Sequence, residues 1–380
     1  MGISLCLLAR NERLNLARAV RSFGGIADET VVLDTGSTDG TPELAAALGC
    51  RVESFPWCDD FSAARNAQIE TAREEWIFLL DCDEWLEPAF ADEVRRAAAC
   101  DNVLVWNIIR RDYKSLPPEG AFSEMYVPRL IRRRNDVRFV GRCHPQFTSN
   151  ITHTAQAQGM AVMPSTIRIG HDGYLPKFLD AKLHRAARLL ELELHERPGQ
   201  LYYQIELART LLMLGDRRGH AIFIEVARAM DQYRDAAEPP TPMLAAAMEY
   251  FLRLKGESTT IPFTHRQLVQ LSRRWFPDSA PLLWLNAVQS YEAAEFGPAA
   301  TALERLVRMG TDHSYDKFCS FDPAIVGDDA KLNLGVCYIR LGRLAEAAAI
   351  FQALMASKHR AAAEANLRSI AEIKRVMGSP

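Results

Sequence analysis

Two carboxylates stand two positions apart, directly after a strongly apolar segment. Asp81 and Asp83 follow residues 76–80, a run that predicts a strand buried on both faces. Residues two apart in an extended chain project to the same side, so the two carboxylates can converge on one point. A cation between them would relieve their repulsion, and Mg²⁺ or Mn²⁺ held by carboxylates plus substrate phosphates suits that chemistry. The alternative is a solvated acidic turn.

The elements that would position these carboxylates form a regular alternation. Apolar runs cover residues 3–8, 30–33, 52–55 and 76–80, and amphipathic stretches cover residues 14–23, 41–48 and 61–71. This order predicts a β-α-β-α-β-α-β unit with a parallel sheet. Ligands of such sheets bind beyond the carboxyl ends of the strands. The functional residues are therefore expected at positions 9–12, 34–39 and 81–84.

Four motifs occur in order along this part of the chain. They are ISLC with RNE at residues 3–6 and 10–12, VLDTGSTDGT at 32–41, FPW with DDFSAARN at 55–57 and 59–66, and LDCDE at 80–84. Together they resemble a family 2 glycosyltransferase, in the branch where a tetratricopeptide-like region follows the catalytic domain. The resemblance implies a mixed-sheet α/β domain of the GT-A (Rossmann-like) fold. It also implies a UDP- or GDP-sugar as the nucleotide-diphospho-sugar donor, with a UDP-sugar favoured, and Mn²⁺ or Mg²⁺ as cofactor.

The resemblance assigns expected roles to individual residues. Those expected to bind the nucleotide-sugar are Arg10, Glu12, Asp34, Gly36, Ser37, Asp39, Arg65, Asn66 and Asp81. Asp34 would accept a hydrogen bond from the base, and Arg65 and Asn66 would begin a helix beneath the diphosphate. Asp81 and Asp83 would hold the metal together with His171, which lies in a later segment, residues 169–174, that resembles the motif closing the catalytic domain.

Each of these roles has a structural alternative. Asp34 could cap a turn, Glu12 could cap a helix, and Arg65 could form a surface ion pair. A single histidine such as His171 is often structural.

The acceptor-side segment departs from the family pattern. Residues 128–130 and 141–144 resemble that segment, but Pro145 follows His144 where related sequences commonly carry Glu. Transfer with inversion needs a group that takes the proton of the acceptor. The expected catalytic residues are His144, Glu84 and Asp83, and Asp112 and Glu124 are further candidates for the base. An acidic acceptor would relax this need, and loss of catalysis would also explain Pro145.

The second half of the chain has a different character. From about residue 177, Ala, Leu, Arg and Glu recur at helical spacing almost to the end. Residues 334–351 match the small and aromatic positions of a tetratricopeptide repeat, and weaker copies cover residues 207–221 and 287–303. The sequence therefore predicts a GT-A domain over residues 1–175 and an all-α, tetratricopeptide-like domain over residues 176–380. Such repeats act as scaffolds or binding surfaces.

Composition narrows the classes of partner. The 380 residues carry a formal net charge of −3, which gives no reason to expect nucleic acid as a partner. The eight cysteines are scattered without Cys-x-x-Cys pairs, and no apolar run approaches a membrane span, so a cytoplasmic location is expected. The acceptor is expected to be a glycan, a lipid-linked glycan or a peptide, and the helical domain could form a homodimer or bind a protein partner. The alternative to an enzyme is a sugar-nucleotide-binding scaffold or a peptide-binding protein with little or no catalysis.

Overall fold

The computed structural model describes residues 1–118, 120–147, 150–173, 176–254, 261–316 and 319–378. Two compact units divide the chain, Met1–Ile222 and Phe223–Pro380. The first unit contains the strands and the second is helical. This agrees with the predicted order of an α/β domain followed by an all-α domain.

Ten strands form two sheets in the first unit. The strands are β1 (Ile3–Ala9), β2 (Glu29–Asp34), β3 (Arg51–Ser54), β4 (Trp76–Asp81), β5 (Glu84–Leu86), β6 (Val103–Tyr113), β7 (Phe122–Arg132), β8 (Phe139–Val140), β9 (Gln146–Phe147) and β10 (Ala161–His171). Eight of them make a mixed sheet in the order β3-β2-β1-β4-β7-β6-β10-β5, and β8 pairs with β9. The parallel strands β3, β2, β1 and β4 are the predicted repeating unit. Antiparallel β7 joins that unit to β6 and β10.

The centre of the large sheet is buried on both faces. Along β4, residues 76–80 are all buried, and their side chains alternate between two apolar clusters. Trp76, Phe78 and Leu80 belong to one cluster, and Ile77 and Leu79 belong to the other. Helices cover such faces, which explains why the strand sequence is apolar without alternation. The central strand is thereby held firmly, and its carboxyl end brings Asp81 to the edge of the sheet.

Fifteen α-helices lie in the described part of the chain. They are α1 (Leu16–Ser22), α2 (Thr41–Ala47), α3 (Phe61–Thr71), α4 (Ala91–Ala98), α5 (Ile151–Gln156), α6 (Pro176–Glu196), α7 (Leu201–Met213), α8 (Arg218–Asp231), α9 (Leu244–Arg253), α10 (His265–Trp275), α11 (Ala280–Glu292), α12 (Phe296–Asp312), α13 (Asp328–Arg340), α14 (Leu344–Ala353) and α15 (Arg360–Met377). Short 3₁₀ helices cover Pro88–Phe90, Pro323–Val326 and Leu354–Ala356. Among the described helices, none combines the length and the apolar character needed to cross a bilayer.

The first compact unit extends past the end of the sheet. The last strand ends at His171 and α6 begins at Pro176, but α6 and α7 still belong to the first unit. Leu190 of α6 and Tyr203 of α7 pack in one apolar cluster with Cys143, which precedes β9. The Tyr203 hydroxyl also donates to the carbonyl of Val140 at 3.0 Å. The first two helices of the helical half are therefore part of the α/β unit.

Consecutive helices of the second unit pack against one another, with a small residue at a close approach. Gly335 of α13 faces Phe351 of α14, and a Cβ at Gly335 would lie 2.6 Å from the Phe351 ring. Both positions belong to the predicted tetratricopeptide pattern, and the absence of a side chain at Gly335 lets the two helices approach closely. Together with α11, α12 and α15, these helices share one apolar core.

Candidate active site

The three predicted segments meet at one edge of the sheet. In the parallel register, Ala9 pairs with Asp34, and Leu8 pairs with Asp81. The chain segments that follow β1, β2 and β4 therefore begin side by side. This is the edge at which open α/β sheets bind ligands.

Hydrogen bonds tie the loops after β1 and β2 to one another. The backbone N–H of Asn11 donates to Ser37 Oγ at 2.8 Å, and the N–H of Arg13 donates to Asp39 Oδ2 at 3.2 Å. Asp39 Oδ1 also accepts from the N–H of Thr41 at 3.0 Å, at the start of α2. Ser37 and Asp39, both predicted to shape the nucleotide pocket, thus hold its two loops together.

Asp34 combines a turn cap with an unused acceptor. Its Oδ2 accepts from the N–H groups of Gly36 and Ser37 at 3.0 and 3.1 Å, and the residue is only 8% exposed. Its Oδ1 is buried and has no hydrogen-bond partner among the described residues. Leaving such an acceptor unsatisfied costs about 1–3 kcal/mol. Gly36, which donates to Oδ2, has φ +99° and open space where a Cβ would stand.

Glu12 faces the acidic side of the site, whereas Arg10 is exposed just after β1. Burial raises the pKa of Glu12, and the nearby charges of Asp83 and Asp81 raise it further. Glu12 Oε2 accepts from Asn15 Nδ2 at 2.8 Å, near the start of α1. The alternative in which Glu12 caps a helix therefore describes part of the role of Glu12. Its proximity to Asp81 and Asp83 describes the rest.

Two arginines hold the carboxylate of Asp81. Arg65 of α3 donates to Asp81 Oδ1, and Arg129 Nη2 of β7 donates to Asp81 Oδ2 at 2.9 Å. Burial raises the pKa of Asp81, but the two guanidiniums outweigh burial and hold the pKa well below its usual value. Arg65 is buried and also donates to Gln68 Oε1, so its ion pair lies inside the site rather than on the surface.

Glu84 has no exposed surface, which corrects the expectation that it is catalytic. Its Oε1 accepts from Arg129 Nη2 at 2.5 Å, and its Oε2 accepts from the N–H of Asp81 at 3.0 Å. The residue is 0% exposed. Both of its oxygens are engaged with the protein, and an acceptor substrate cannot reach them. Glu84 instead positions Asp81 and Arg129.

Asn66 has a similar internal role. Its Nδ2 donates to the carbonyl of Phe139 at 3.0 Å, and its Oδ1 accepts from the N–H of Phe139 at 2.9 Å. This reciprocal pair fastens β8 to α3. Binding of the nucleotide-sugar by Asn66 stays a prediction.

Asp83, His171 and Asp112 form a chain of polar contacts. Asp83 Oδ2 lies 3.4 Å from His171 Nε2, and His171 Nδ1 donates to Asp112 Oδ1 at 2.7 Å. Arg110 in turn donates to both oxygens of Asp112. Burial lowers the pKa of His171, but Asp112 and Asp83 outweigh burial and raise the pKa to about 9. His171 is the end of β10, and the predicted motif continues to Tyr174, which lies outside the described residues.

The polar contacts of Asp83 and His171 fit a metal site with these two residues as its protein ligands. The Oδ2 of Asp83 and the Nε2 of His171 are separated by 3.4 Å, close to the roughly 3 Å between neighbouring ligands of one Mg²⁺-sized ion. A Cβ at Gly173 would lie 2.2 Å from Asp83 Oδ2 and 2.5 Å from His171 Nε2, so this glycine keeps a small space open. Asp112 supports His171 as carboxylates support metal-ligating histidines in proteins.

Asp81 does not join this pair, which corrects the expected three-ligand set. Its carboxylate is held by Arg65 and Arg129. Within the described ranges, no group of three or more His, Cys, Asp or Glu side chains is arranged to hold a metal ion. The remaining ligands would have to come from the donor phosphates and water, as is usual for Mg²⁺.

His144 has the most exposed side chain of the candidate bases. Glu84, Asp112 and Glu124 are buried, whereas the His144 side chain is 39% exposed. His144 Nε2 lies 3.7 Å from Glu206 Oε2 of α7. Burial lowers the pKa of His144, but the neighbouring Cys143 and Glu206 outweigh burial and raise the pKa to about 9. Helix α7 thus supplies a carboxylate near the position where Pro145 replaces the family's Glu.

Sequence reasoning missed several residues of this site. Five residues that were not predicted contact predicted site residues or lie close to them: Arg129, Arg110, Gly173, Lys182 and Glu206. Lys182 of α6 donates from Nζ to Asp83 Oδ2 at 2.6 Å. Arg129 and Gly173 lie in segments 128–130 and 169–174, and the resemblance of these segments to family motifs could have indicated both residues. Lys182 and Glu206 come from the helical half, where periodicity alone gives no such signal.

Comparison with known proteins identifies the first part of the chain. The model of the family Glycosyl transferase family 2 matches residues 4–148. A TPR repeat-containing protein of Synechococcus elongatus is 32% identical over 219 residues, which are 56% of this chain and 53% of that protein. The lipopolysaccharide core biosynthesis glycosyltransferase LpsC of Rhizobium meliloti is 28% identical over 148 residues, which are 37% of this chain and 52% of that protein.

Among solved structures, the similarity is lower. Glucosyl-3-phosphoglycerate synthase from Mycobacterium tuberculosis, in complex with Mn²⁺, uridine-diphosphate and phosphoglyceric acid, is 20% identical with a TM-score of 0.34, and the match covers 45% of this chain and 70% of that one. The chain spans about half the length of the two curated relatives named above. Residues 4–148 of this chain are thus similar to glycosyl transferase family 2.

Proposed function

We propose that the chain transfers a sugar from a UDP-sugar to a hydroxyl acceptor, with inversion at the anomeric carbon and with Mn²⁺ or Mg²⁺ as cofactor. The observation that carries this proposal is the pair of Asp83 and His171, whose Oδ2 and Nε2 atoms lie 3.4 Å apart at the edge of the sheet. The bound metal would offset the negative charge that develops on the departing diphosphate. Asp83 and His171 would hold it.

The UDP preference rests on Asp34. Its unpartnered Oδ1 is a buried acceptor at the end of β2. The N3–H of uracil is a donor of the required kind. The loops joined by Asn11 and Ser37 would hold the base in place.

The transfer step needs one general base, which takes the proton of the acceptor. The acceptor oxygen forms a bond to the anomeric carbon while the bond from that carbon to the diphosphate oxygen breaks, and the electron pair of the broken bond stays on UDP. The acceptor proton goes to His144, which Glu206 orients. Positioning of donor and acceptor, rather than covalent chemistry by the protein, supplies most of the rate enhancement.

We propose a saccharide hydroxyl as the acceptor. The Rhizobium meliloti relative is named for lipopolysaccharide core biosynthesis, which is glycan assembly. His144 is exposed enough to meet a large acceptor, since its side chain is 39% exposed. A peptide hydroxyl would present the same chemistry to His144, and an acceptor panel separates the two.

A donor and acceptor screen tests the proposed function. UDP- and GDP-sugars are incubated with the full chain and Mn²⁺, then with EDTA, and release of free nucleotide is measured with and without saccharide and peptide acceptors. We expect metal-dependent UDP release that a saccharide accelerates, and we expect Asp83→Ala to abolish it without unfolding the chain. A chain that binds UDP but never releases free nucleotide from a UDP-sugar would be a sugar-nucleotide-binding scaffold instead. Equal turnover in EDTA would rule out the metal role.

A further inference from the structure

A lysine from the helical half occupies the cation position beside Asp83. Lys182 lies on α6, and its Nζ is 2.6 Å from Asp83 Oδ2 although 99 residues separate the two in sequence. The Lys182 side chain is 33% exposed and that of Asp83 is 15% exposed. The contact is therefore partly shielded from water but still open to a ligand.

Three polar groups converge on the same small space. A Cβ added to Gly173 would lie 2.1 Å from Lys182 Nζ, 2.2 Å from Asp83 Oδ2 and 2.5 Å from His171 Nε2. No L side chain fits between these groups, so the glycine keeps them within reach of one another. The Lys182 ammonium and the proposed metal would therefore compete for one carboxylate oxygen, Asp83 Oδ2.

Charge decides what happens to the lysine when a metal binds. A divalent ion on Asp83 repels the ammonium of Lys182, and both cannot keep close contact with the same oxygen. The long stem of a lysine lets its ammonium move several ångströms without a change in the helix. The nearest new negative charge would be the diphosphate that arrives with the metal.

We propose that Lys182 binds the diphosphate of the nucleotide-sugar. In the donor-free protein it neutralises Asp83, and on binding of metal and donor its ammonium passes to a phosphate oxygen. The inference rests on the proposed function and adds a specific leaving-group contact from α6. When the bond to the anomeric carbon breaks, the electron pair remains on the β-phosphate oxygen, and Lys182 stabilises that charge alongside the metal.

Calorimetric titrations of three variants test this role. Lys182→Gln removes the charge, Lys182→Arg keeps it, and Arg188→Gln is the matched control on the same helix, where it removes only an exposed pair with Asp59. Each is titrated with Mn²⁺ alone and then with UDP and with GDP at saturating Mn²⁺. Circular dichroism checks that each variant folds.

The proposal predicts opposite effects on the two ligands. Lys182→Gln should bind Mn²⁺ several-fold more tightly than the wild type, because no ammonium has to be displaced from Asp83. It should bind UDP about 10- to 100-fold more weakly, the loss expected for one hydrogen bond to a charged group. Lys182→Arg should restore most of the UDP affinity, and Arg188→Gln should match the wild type for both ligands.

Two results would overturn the role of Lys182. Weaker binding of both Mn²⁺ and UDP by Lys182→Gln would mean that the lysine only supports the site structurally, and unchanged UDP affinity would mean that it does not touch the diphosphate. A wild-type chain that binds neither nucleotide with Mn²⁺ would instead overturn the proposed function itself. The experiment therefore separates failure of the inference from failure of its premise.

Discussion

Asp112 Oδ1 accepts a hydrogen bond from His171 Nδ1 at 2.7 Å, because the parallel register of β6 and β10 places these two residues side by side. Since a carboxylate only accepts, Nδ1 carries the proton and Nε2 is the nitrogen that faces Asp83. Arg110 donates to both oxygens of Asp112. The orientation of His171, the proposed metal ligand, is thus set by β6 and β10. Strand β7 separates these two strands from β4.

Asp112→Asn should weaken binding of Mn²⁺ while the chain stays folded. The amide keeps the shape but loses the negative charge that orients His171 and makes it a better ligand, and loss of such a partner costs about 10- to 100-fold in metal affinity. Calorimetry with Mn²⁺ measures the change. Asp136→Asn is the matched control, since it removes an exposed carboxylate paired with Arg134. Equal affinity in the two variants would show that Asp112 does not act through the metal.

Asp34→Asn should change the preferred base. The N–H groups of Gly36 and Ser37 bind Oδ2 of the carboxylate, so the amide would place its oxygen there and its NH₂ at the unpartnered position. A donor at that position opposes the N3–H of uracil but suits N3 of cytosine. We expect UDP affinity to fall about 10- to 100-fold and the ratio of CDP to UDP affinity to rise. Parallel loss of affinity for both nucleotides would mean that Asp34 supports only the loop.

The pH dependence of transfer should report the titration of His144. With a pKa of about 9, this histidine is mostly protonated at neutral pH, and a general base must be deprotonated. At saturating metal, kcat/KM should therefore rise with pH at a slope near one, reach half of its maximum near pH 9 and level off above that pH. His144→Gln should lose most of the activity and the rising limb together.

Glu206→Gln supplies the matching control. The Glu206 carboxylate helps to raise the pKa of His144, so its removal should move the rising limb to lower pH. A shift of this kind distinguishes a residue that acts on the base from one that only supports α7. An unchanged limb in both variants would contradict the assignment of His144 as the base.

Removal of the helices α6 and α7 should prevent folding of the transferase unit. Glu193 of α6 is 0% exposed and its Oε2 accepts from the N–H of Arg142 at 2.9 Å, while Leu189, Leu190 and Tyr203 pack with Cys143. Burial of each large apolar side chain contributes about 1.5–3 kcal/mol. A fragment of residues 1–217 should unfold cooperatively, and a fragment of residues 1–175 should not. Equal unfolding temperatures would place the domain boundary at residue 175.

The first half of the sheet could be predicted because its signals are local. Strands β1, β2 and β4 are short apolar runs buried on both faces, and each ends at a polar motif. Alternation with helices then fixes a parallel arrangement, which brings Asp34 and Asp81 to the same edge. The turn cap formed by Asp34 follows from short-range spacing as well.

The rest of the site depends on contacts that local patterns do not encode. Arg129 meets Asp81 and Glu84 only because β7 is inserted antiparallel beside β4, and the sequence did not indicate this topology. Lys182 reaches Asp83 through the direction of α6, which helical periodicity does not specify.

The most direct test of the account is a calorimetric titration of UDP into the wild-type chain and into Asp83→Asn, each with Mn²⁺ and with EDTA. If Asp83 and His171 hold the metal that binds the diphosphate, UDP should bind the wild type tightly only with Mn²⁺, and Asp83→Asn should bind it weakly under both conditions. Equal UDP binding by the wild type in Mn²⁺ and EDTA, or equal binding by the two proteins in Mn²⁺, would contradict the account.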